Sequence, residues 1–285
     1  MSEANSITFT LFQWNTLNRK LADKNAFPMV DIKHLQWYHR HSLIKKIIEE
    51  NKSDIICLEE VGNNYDLDFK KKIFEKCTIK YDLIFELRPS KSMGNLIGVN
   101  KDLFSIESHE NIILKNSEGK SSGQNMISAV INNKKTNDKF IIIVVHLKSN
   151  INNENIRLGQ IEHLMKCIED KYLRKYPIFI LGDFNAEPNY SCIIKFLENK
   201  NINAKSLFNP KKLEYTTYNI KEILYKRILD YIFFISKNKG EEDKELKKIN
   251  SEKAQPIINE KIGLPNDIYP SDHLFLRAQV QLIFN

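Results

Sequence analysis

The sequence predicts a mixed α/β sandwich formed by a single domain. Many short segments are apolar or alternate between apolar and polar residues, as strands do. Segments with a helical apolar stripe lie between some of these strands. No internal repeat and no interdomain linker divides the 285 residues, so we expect one domain over residues 1–285.

The first strand is predicted where Ile7, Phe9 and Leu11 alternate with two threonines. Further strands are predicted over residues 55–58, 81–87, 95–99, 112–114, 127–131, 140–145, 178–181, 228–235 and 274–283. Helices are predicted over 41–51 and 156–172, whose apolar residues share one face. Shorter helical segments are predicted over 66–76 and 192–199.

Residues 237–253 differ from the rest of the chain in composition. They are rich in charge and show no apolar period. Such a segment cannot bury enough apolar surface to order itself, so the pattern predicts a mobile, charged surface insertion.

The net charge of +7 and the pI of about 9.0 favour a polyanionic partner or a phosphorylated substrate. A simple solvated basic surface is the alternative. None of the four cysteines forms a C-x-x-C pair, so buried reduced thiols are expected. No apolar run is long enough for a membrane span, and no secretory signal is evident. We therefore expect a monomeric, intracellular protein, cytoplasmic and without a membrane partner.

The stretch 177–188 has the most informative pattern. Four apolar residues predict a buried strand, which Gly182, Asp183 and Asn185 follow. Positions i and i+2 of an extended chain point to the same side, so Asp183 and Asn185 can face one ligand together. An ordinary turn is the alternative interpretation, since all three residue types favour turns.

Other polar residues also lie at or near the ends of predicted strands, where sites are commonly built. The full set is Asn15, Glu60, His146, Asp183, Asn185, Asp230, Asp272 and His273. Carboxylate and amide oxygens without thiolates suit a hard cation such as Mg²⁺. Two histidines beside such a site can stabilise a phosphate oxygen or move a proton. Together these groups predict metal-assisted hydrolysis of a phosphoester.

Some members of this set have competing interpretations. Glu59 and Glu60 point to opposite sides of an extended strand, so at most one of them is expected to face inward. Asp230 lies in an apolar strand, where a buried carboxylate needs a partner, and His273 is the expected one. Asn15 and Asp272 could each be plain turn residues.

Six short segments together resemble the endonuclease/exonuclease/phosphatase superfamily, which includes deoxyribonuclease I. They are QWNTL (13–17), CLEEV (57–61), HLK (146–148), GDFNAEP (182–188), LDYI (229–232) and SDH (271–273). The resemblance implies a four-layered α/β/β/α sandwich of two mixed, mainly antiparallel sheets flanked by helices. The family pattern has glutamine at the position of Glu59.

The resemblance also implies roles for the strand-end residues. Glu60, Asn15 and Asp272 are the implied metal ligands, for Mg²⁺ or alternatively Mn²⁺. Asp183 and Asn185 are implied to position the attacking water. His146 and His273 are implied to contact the phosphate, with Asp230 orienting His273.

Three further segments resemble the deadenylase-like branch, that of nocturnin and the carbon-catabolite-repressor deadenylases. They are LQWYHR (35–40), YTTY (215–218) and YPSDH (269–273). Tyr215 and Tyr218 are candidates for stacking on a base, and Lys148 and Arg157 for contacting a phosphate. No scaffold-docking leucine-rich repeat is present in this chain.

The leading hypothesis is a Mg²⁺-dependent 3′–5′ exoribonuclease that acts on single-stranded RNA, with poly(A) as the expected substrate. The alternative is a nucleotide phosphatase that removes the 2′-phosphate of NADP(H) or a similar terminal phosphate. Inward-facing Lys148 and Arg157 would suit that compact dianion. A non-catalytic RNA-binding module is a third interpretation, which the complete set of site residues disfavours.

Overall fold

Two six-stranded sheets face each other in the computed structural model, which describes residues 5–221, 223–238 and 245–284. The strands are β1 (Asn5–Asn15), β2 (Ile55–Gly62), β3 (Tyr81–Leu87), β4 (Met93–Asn100), β5 (Phe104–Lys115), β6 (Ser121–Asn133), β7 (Lys139–His146), β8 (Ile178–Asp183), β9 (Lys205–Ser206), β10 (Thr217–Ile220), β11 (Leu224–Arg227), β12 (Asp230–Ile235), β13 (Leu246–Lys253) and β14 (Leu276–Phe284). The helices are α1 (Ile32–Leu35), α2 (Trp37–Asn51), α3 (Glu154–Lys171), α4 (Ser191–Leu197) and α5 (Pro210–Leu213).

The strand order is β13-β14-β1-β2-β4-β3 in the first sheet and β5-β6-β7-β8-β12-β9 in the second. Strands β10 and β11 form a separate hairpin. Only the pairs β1–β2 and β7–β8 are parallel among the described strands. The predicted pair of mixed, mainly antiparallel sheets is confirmed.

The alternation of β1 assigns its side chains to two different cores. Phe9 and Leu11 point between the sheets, where Phe9 stacks on Phe140 of β7 with ring centroids 4.9 Å apart. Phe12 and Trp14 point to the opposite face of the first sheet. Because each face is buried against a different layer, a slip of one residue would exchange the two sets.

Helices cover the outer faces of both sheets. Ile44 and Ile48 of α2 pack on the first sheet, and Ile161, Leu164 and Ile168 of α3 pack on the second. Full burial of one such aliphatic side chain contributes roughly 1.5–3 kcal/mol. The layers therefore follow the order α/β/β/α, and the predicted four-layered sandwich is confirmed.

Several predicted helices have different limits in the structure. Helix α2 begins at Trp37 rather than at residue 41, and α3 begins at Glu154 rather than at 156. The predicted helix over 66–76 is instead a π-helical turn (Asp66–Lys71) followed by a 3₁₀ turn (Phe74–Lys76).

The segment 237–253 contains a strand that its composition does not predict. Strand β13 pairs antiparallel with β14 at the edge of the first sheet. An edge strand needs only backbone hydrogen bonds and tolerates charged side chains, so it requires no apolar period. The expectation of a loop is wrong for 246–253, and residues 239–244 lie outside the described residues.

The β10–β11 hairpin is also absent from the sequence prediction. Each of its strands has four residues, and Tyr218 pairs with Lys226 across the hairpin. Strand β10 joins the rest of the molecule through a bridge between Thr217 and His273. Since its charged and apolar residues do not alternate cleanly, no strand period marks it.

Membrane insertion by a helix finds no support here, because no described helix combines enough length with enough apolar character to span a bilayer. All four cysteines are buried and free, as expected. Burial raises the pKa of the Cys192 thiol to about 12. These thiols are therefore protonated at neutral pH and form part of the core.

Gly182 allows β8 to approach β7 closely at the carboxyl end of both strands. Its φ of +156° is one that residues with a side chain rarely adopt. A Cβ atom on Gly182 would lie 2.0 Å from the carbonyl oxygen of Val145. The neighbouring pair, His146 and Asp183, depends on this approach.

We expect Gly182→Ala to destabilise the protein by more than ~3 kcal/mol, because the clash is with backbone that cannot rotate away. Gly119→Ala is the matched control. Gly119 also has a positive φ, +76°, but its Cβ would meet no atom within 4 Å. Its cost should be only the ~1–2 kcal/mol of a left-handed residue. Urea unfolding of both variants would measure the difference, and equal costs would contradict this role of Gly182.

Candidate active site

The candidate site lies where the core between the sheets ends. Inner-face rows of apolar residues continue into polar ones along each central strand: Leu11-Gln13-Asn15 in β1, Cys57-Glu59 in β2, Val144-His146 in β7, Leu181-Asp183 in β8 and Ile232-Asp230 in β12. Strand pairing then aligns the polar ends, with Asp183 beside His146 on one side and Asp230 on the other. The period of two thus brings distant residues into one cluster.

The carboxylate of Asp183 is the centre of this cluster. Three groups converge on its Oδ2 atom: Asn15 Nδ2 at 3.0 Å, His146 Nε2 at 3.6 Å and His273 Nε2 at 3.7 Å. Its Oδ1 accepts a hydrogen bond of 2.8 Å from the backbone N–H of Asn185. Burial, together with the charge of Asp230, raises the pKa of Asp183, although the two histidines and the hydrogen bond from Asn15 oppose this. The site is therefore arranged to hold a buried charge that nearby cationic or donor groups balance.

Asp230 orients His273. Its Oδ2 lies 2.9 Å from Nδ1 of His273 and accepts a hydrogen bond from Thr216 Oγ1, while its Oδ1 accepts one from Gln13 Nε2. Burial alone would lower the pKa of His273, but the carboxylates of Asp230 and Asp183 raise it well above 6.5. His273 thus presents Nε2 as a proton donor to the site.

Glu60 enters the site through an irregularity in β2. The pairing of β2 with β4 shifts register between Leu58 and Val61, and Glu60 has a φ of +60°. A bulge redirects a side chain, and Glu60 lines the same cleft as Asp272 and His273. Both Glu59 and Glu60 therefore belong to the site region, and the expectation that at most one faces inward is wrong.

Glu59 lies in the buried floor, where its Oε2 accepts a hydrogen bond of 2.8 Å from Gln13 Nε2. Burial raises its pKa well above 4.5, and the charges of Asp230 and Asp183 add to this effect. This environment favours the protonated form of Glu59, which has nearly the shape of a glutamine and carries no negative charge.

Arg40 supports the loops that carry the carboxylates. Its fully buried guanidinium donates to the carbonyl oxygens of Thr16, Leu17 and Pro270. Burial lowers its pKa to about 10, against the opposing charges of Asp272 and Glu60. Arg40 is still a cation at neutral pH, and it links the loop after β1 to the turn before Asp272.

The predicted metal ligands offer oxygen donors of the right kind. Glu60 and Asp272 face one cleft, and burial followed by the charge of Glu60 raises the pKa of Asp272. A divalent cation would relieve this repulsion, so the residues present fit a hard metal ion. Asn15 already uses its Oδ1 atom to accept from the backbone N–H of Leu17.

A second group of possible ligands consists of Asp183, Asp230 and His273, whose donor atoms lie within 4.8 Å of one another. Both Asp230 oxygens and the Nδ1 atom of His273 already have hydrogen-bond partners in the protein. Glu60 and Asp272 also accept hydrogen bonds, from the backbone N–H of Asn18 at 2.8 Å and from Asn219 Nδ2 at 3.5 Å. The structure therefore offers two groups of oxygen donors to a metal ion, and both lie in the site region.

An open cleft of about 790 Å³ leads to these groups. One wall is the inner face of the β10–β11 hairpin, with Thr217, Asn219, Tyr225 and Arg227. The guanidinium of Arg227 lies over the Tyr225 ring, 5.4 Å from its centroid. The cleft thus has an aromatic and cationic wall beside the carboxylates of Glu60 and Asp272 and the imidazole of His273.

A family model described as the endonuclease/exonuclease/phosphatase family matches residues 12–273. The chain belongs to this family. It is accordingly a metal-dependent phosphoester hydrolase.

Two relatives are similar to this chain over most of its length. Human nocturnin is 28% identical over 298 residues, a match covering 93% of this chain and 63% of the human protein. The probable CCR4-Not complex 3′-5′-exoribonuclease subunit Ccr4 of Vairimorpha ceranae is 25% identical, covering 98% of this chain and 65% of the relative. This chain therefore spans just under two thirds of the length of these two relatives.

Solved structures of the family show the same fold. The human nocturnin catalytic domain superposes with a TM-score of 0.74 at 23% identity, covering 98% of this chain and 96% of that one. ANGEL2, a 2′,3′-cyclic phosphatase, superposes with a TM-score of 0.81 at 19% identity, covering 99% of both chains.

Arg157 is not a cleft residue, contrary to the sequence prediction. Its fully buried guanidinium donates to the carbonyl oxygens of Lys148, Asn150 and Ile151 and pairs with Glu154. These bonds hold the loop after His146 in place. All of its N–H groups already have partners in the protein, so none is free to donate to a substrate phosphate.

The backbone N–H of Lys148 donates to Gln160 Oε1, and its side chain does not line the described cleft. Tyr215 and Tyr218 lie on the outer side of the hairpin wall, where Tyr218 is buried. The prediction that these tyrosines face the substrate site is wrong, because Tyr218 alternates with the inner-face residues Thr217 and Asn219.

Sequence reasoning missed the residues that do line the wall. Tyr225 and Arg227 lie two positions apart on β11, and Lys20 and Lys221 also reach the cleft. The alternation of Tyr225 and Arg227 just before the LDYI segment was the one available signal. Only the hairpin pairing shows which of its two faces is turned to the site.

We expect Glu59→Gln to leave the fold intact and to stabilise it increasingly as pH rises above 4.5. The native state keeps Glu59 protonated while the unfolded state ionises it, so wild type loses stability over this range and the Gln variant does not. Urea unfolding at pH 5 and pH 8 would measure the difference. Glu118→Gln at the surface is the control, and a pH-independent difference for Glu59→Gln would refute the assignment.

We also expect Arg157→Met to lower the free energy of unfolding by ~3 kcal/mol or more, because it removes the donors to three backbone carbonyl oxygens and the buried partner of half-buried Glu154. Arg227→Met, at a half-buried cleft position, should change stability by only ~0.5 kcal/mol. The effects on KM should be reversed: Arg227→Met should raise KM, and Arg157→Met should change it little. Denaturant unfolding and steady-state kinetics test both, and an unchanged stability for Arg157→Met would contradict the clamp.

Proposed function

We propose that this hydrolase is a Mg²⁺-dependent 3′–5′ exoribonuclease that removes nucleotides from single-stranded RNA, with poly(A) as the expected substrate. The observation that supports this most directly is the open cleft, where Tyr225 and Arg227 stand beside the carboxylates and histidines. An aromatic face suits an unstacked base, and a guanidinium suits the adjacent phosphate.

The metal proposal follows from the ligand atoms. Glu60 and Asp272 would hold Mg²⁺, with Asn15 nearby, and Mn²⁺ would accept the same oxygen donors. When bound, such an ion polarises a phosphoryl oxygen and stabilises developing negative charge. The fully buried guanidinium of Arg40 supports the loops that carry these ligands.

The residues around Asp183 would then carry out the proton and positioning steps. Asp183 accepts a hydrogen bond from the attacking water and draws its proton, while Asn185 holds the water from the side. His273 and His146 donate hydrogen bonds to the phosphate oxygens as the water oxygen bonds to phosphorus. The bond from phosphorus to the upstream O3′ then breaks, the leaving O3′ takes a proton from solvent, and Asp183 returns its proton to solvent. Asp230 stabilises the charged form of His273 throughout.

Arg88 adds a cation whose charge interacts with that of Glu60. Its guanidinium donates to Ser90 Oγ at 2.9 Å, Ser92 Oγ at 3.2 Å and Gln124 Oε1 at 3.4 Å. These three acceptors are neutral, so the positive charge remains available. Burial lowers the pKa of Arg88 and the charge of Glu60 raises it. We expect Arg88 to attract an anionic substrate bound near Glu60 from outside the described lining of the cleft.

The second candidate is removal of the 2′-phosphate from NADP(H) or a similar terminal phosphate. The similarity to nocturnin and the cation of Arg88 favour it. Lys148 and Arg157 do not form the expected phosphate-binding wall, because Arg157 donates its hydrogen bonds to backbone carbonyl oxygens. The long open cleft also suits a polymer better than a compact dianion.

A substrate panel with Mg²⁺ separates the candidates. We expect shortening of oligo(A) RNA from its 3′ end, with slower release of phosphate from NADPH. Abasic DNA and phosphoinositides complete the panel. On each substrate that the wild-type protein cleaves, Asp183→Asn should reduce kcat by ~10³ or more. Phosphate release from NADPH with intact oligo(A) would overturn the exoribonuclease proposal and support the phosphatase.

Tyr225→Ala should raise KM for oligo(A) about tenfold, since stacking on one base contributes roughly 1–3 kcal/mol. Tyr225→Phe, which keeps the ring, should stay within twofold of wild type. Steady-state kinetics with Mg²⁺ would measure both. If Tyr225→Ala binds and cleaves oligo(A) normally, the hairpin wall is not the base-binding surface.

A further inference from the structure

The outer side of the β10–β11 hairpin has a cationic surface that the catalytic cleft does not use. Tyr215 lies at its centre, half-buried, and Lys226 Nζ lies 5.2 Å from its ring centroid. Lys253 Nζ of β13 lies 4.0 Å from the same centroid. Lys226 is also 5.1 Å from the ring of Tyr218. Two ammonium groups are thus held close together over one pair of tyrosines.

These lysines have no carboxylate within ion-pair distance among the described residues. Burial lowers the pKa of Lys253, Glu214 opposes this effect, and Lys226 reinforces it. Lys212, Lys226 and Lys253 outnumber the two carboxylates that act on this surface, those of Glu214 and Glu260, and a phosphate group can neutralise the excess positive charge. The aromatic faces are already occupied by the ammonium groups, so this surface offers charge rather than a stacking platform.

A depression of about 400 Å³ lies beside Lys253. Lys212, Tyr215, Lys253 and Gln255 line it together with one carboxylate, that of Glu214, and Lys212 is exposed. Lys212 and Lys253 outnumber the one carboxylate in this lining, so the depression carries a net positive charge.

The hairpin therefore has two functional faces that differ by one residue in register. Asn219 and Tyr225 form one cross-strand pair facing the cleft, and Tyr218 and Lys226 form the adjacent pair facing outward. A single-stranded RNA that leaves the cleft would pass over the β10–β11 hairpin to reach the lysines on its outer side.

We propose that Tyr215, Lys226 and Lys253, with Lys212 beside them, form a second binding surface for the phosphates of single-stranded RNA upstream of the nucleotide in the cleft. This inference rests on the proposed exoribonuclease activity. Tyr215 orients the two lysines, and contacts to phosphate are independent of sequence. Long RNA gains this second contact, whereas a substrate of two or three nucleotides ends within the cleft.

The test compares binding of long and short RNA to the Mg²⁺-loaded enzyme. The probes are fluorescent oligo(A) of 20 and of 3 nucleotides with phosphorothioate 3′ linkages, measured by anisotropy. We expect Lys226→Gln/Lys253→Gln to raise Kd for the 20-mer about tenfold and to leave the 3-mer unchanged. The slope of log Kd against log salt should fall by about 1.4, the value for two lost phosphate contacts on a single strand.

Lys101→Gln/Lys134→Gln is the matched control, because it removes the same charge elsewhere on the surface. The Nζ of Lys134 donates to the carbonyl oxygen of Lys101, away from the hairpin. Tyr215→Leu should weaken binding of the 20-mer, and Tyr215→Phe should not. Equal effects of the two double variants, or equal binding of both RNA lengths by wild type, would overturn the proposal.

The same proteins separate this inference from the proposed activity. Length-dependent binding through Lys226 and Lys253, without cleavage of ordinary oligo(A), would retain the surface and refute the exoribonuclease. Cleavage of oligo(A) with no loss of 20-mer affinity in the double variant would retain the activity and refute the surface.

Discussion

The structure depends on keeping the carboxylate of Asp183 charged inside the end of a protein core. Burial disfavours that charge by several kcal/mol unless partners compensate. The partners come from three other strands or strand ends, as Asn15, His146 and His273. Each must arrive with the correct side facing inward, so the alternation and register of both sheets are constrained by this one group.

The constraint also explains why polar and apolar regions meet so abruptly. Along β8, Phe179 and Leu181 complete the apolar core and Asp183, two residues on, begins the site. No intervening layer separates the polar cluster from the sheets. The packing of the core therefore fixes the positions of these side chains, which suits a site that acts by positioning its reactants.

Charged residues divide into those that shape loops and those that meet solvent. The guanidiniums of Arg40 and Arg157 are fully buried and donate hydrogen bonds to backbone carbonyl oxygens. Arg227, by contrast, lines the open cleft, and neutral oxygens of Ser90, Ser92 and Gln124 hold Arg88 outside the described lining of that cleft. The chemical type of a residue does not distinguish these roles, because a fully buried arginine and a cleft arginine differ only in what surrounds them.

The amino-acid sequence alone determined the fold class and the strand-end cluster. Apolar alternation in segments such as Phe9–Leu11 is local, and the polar residues that follow inherit its direction. Asp183, His146, Asp230 and His273 come together as predicted. The tertiary structure alone decided the side of the hairpin on which Tyr215 and Tyr225 lie, the burial of Arg157 and the bulge at Glu60. These features depend on pairing between distant segments, which no local pattern of residues specifies.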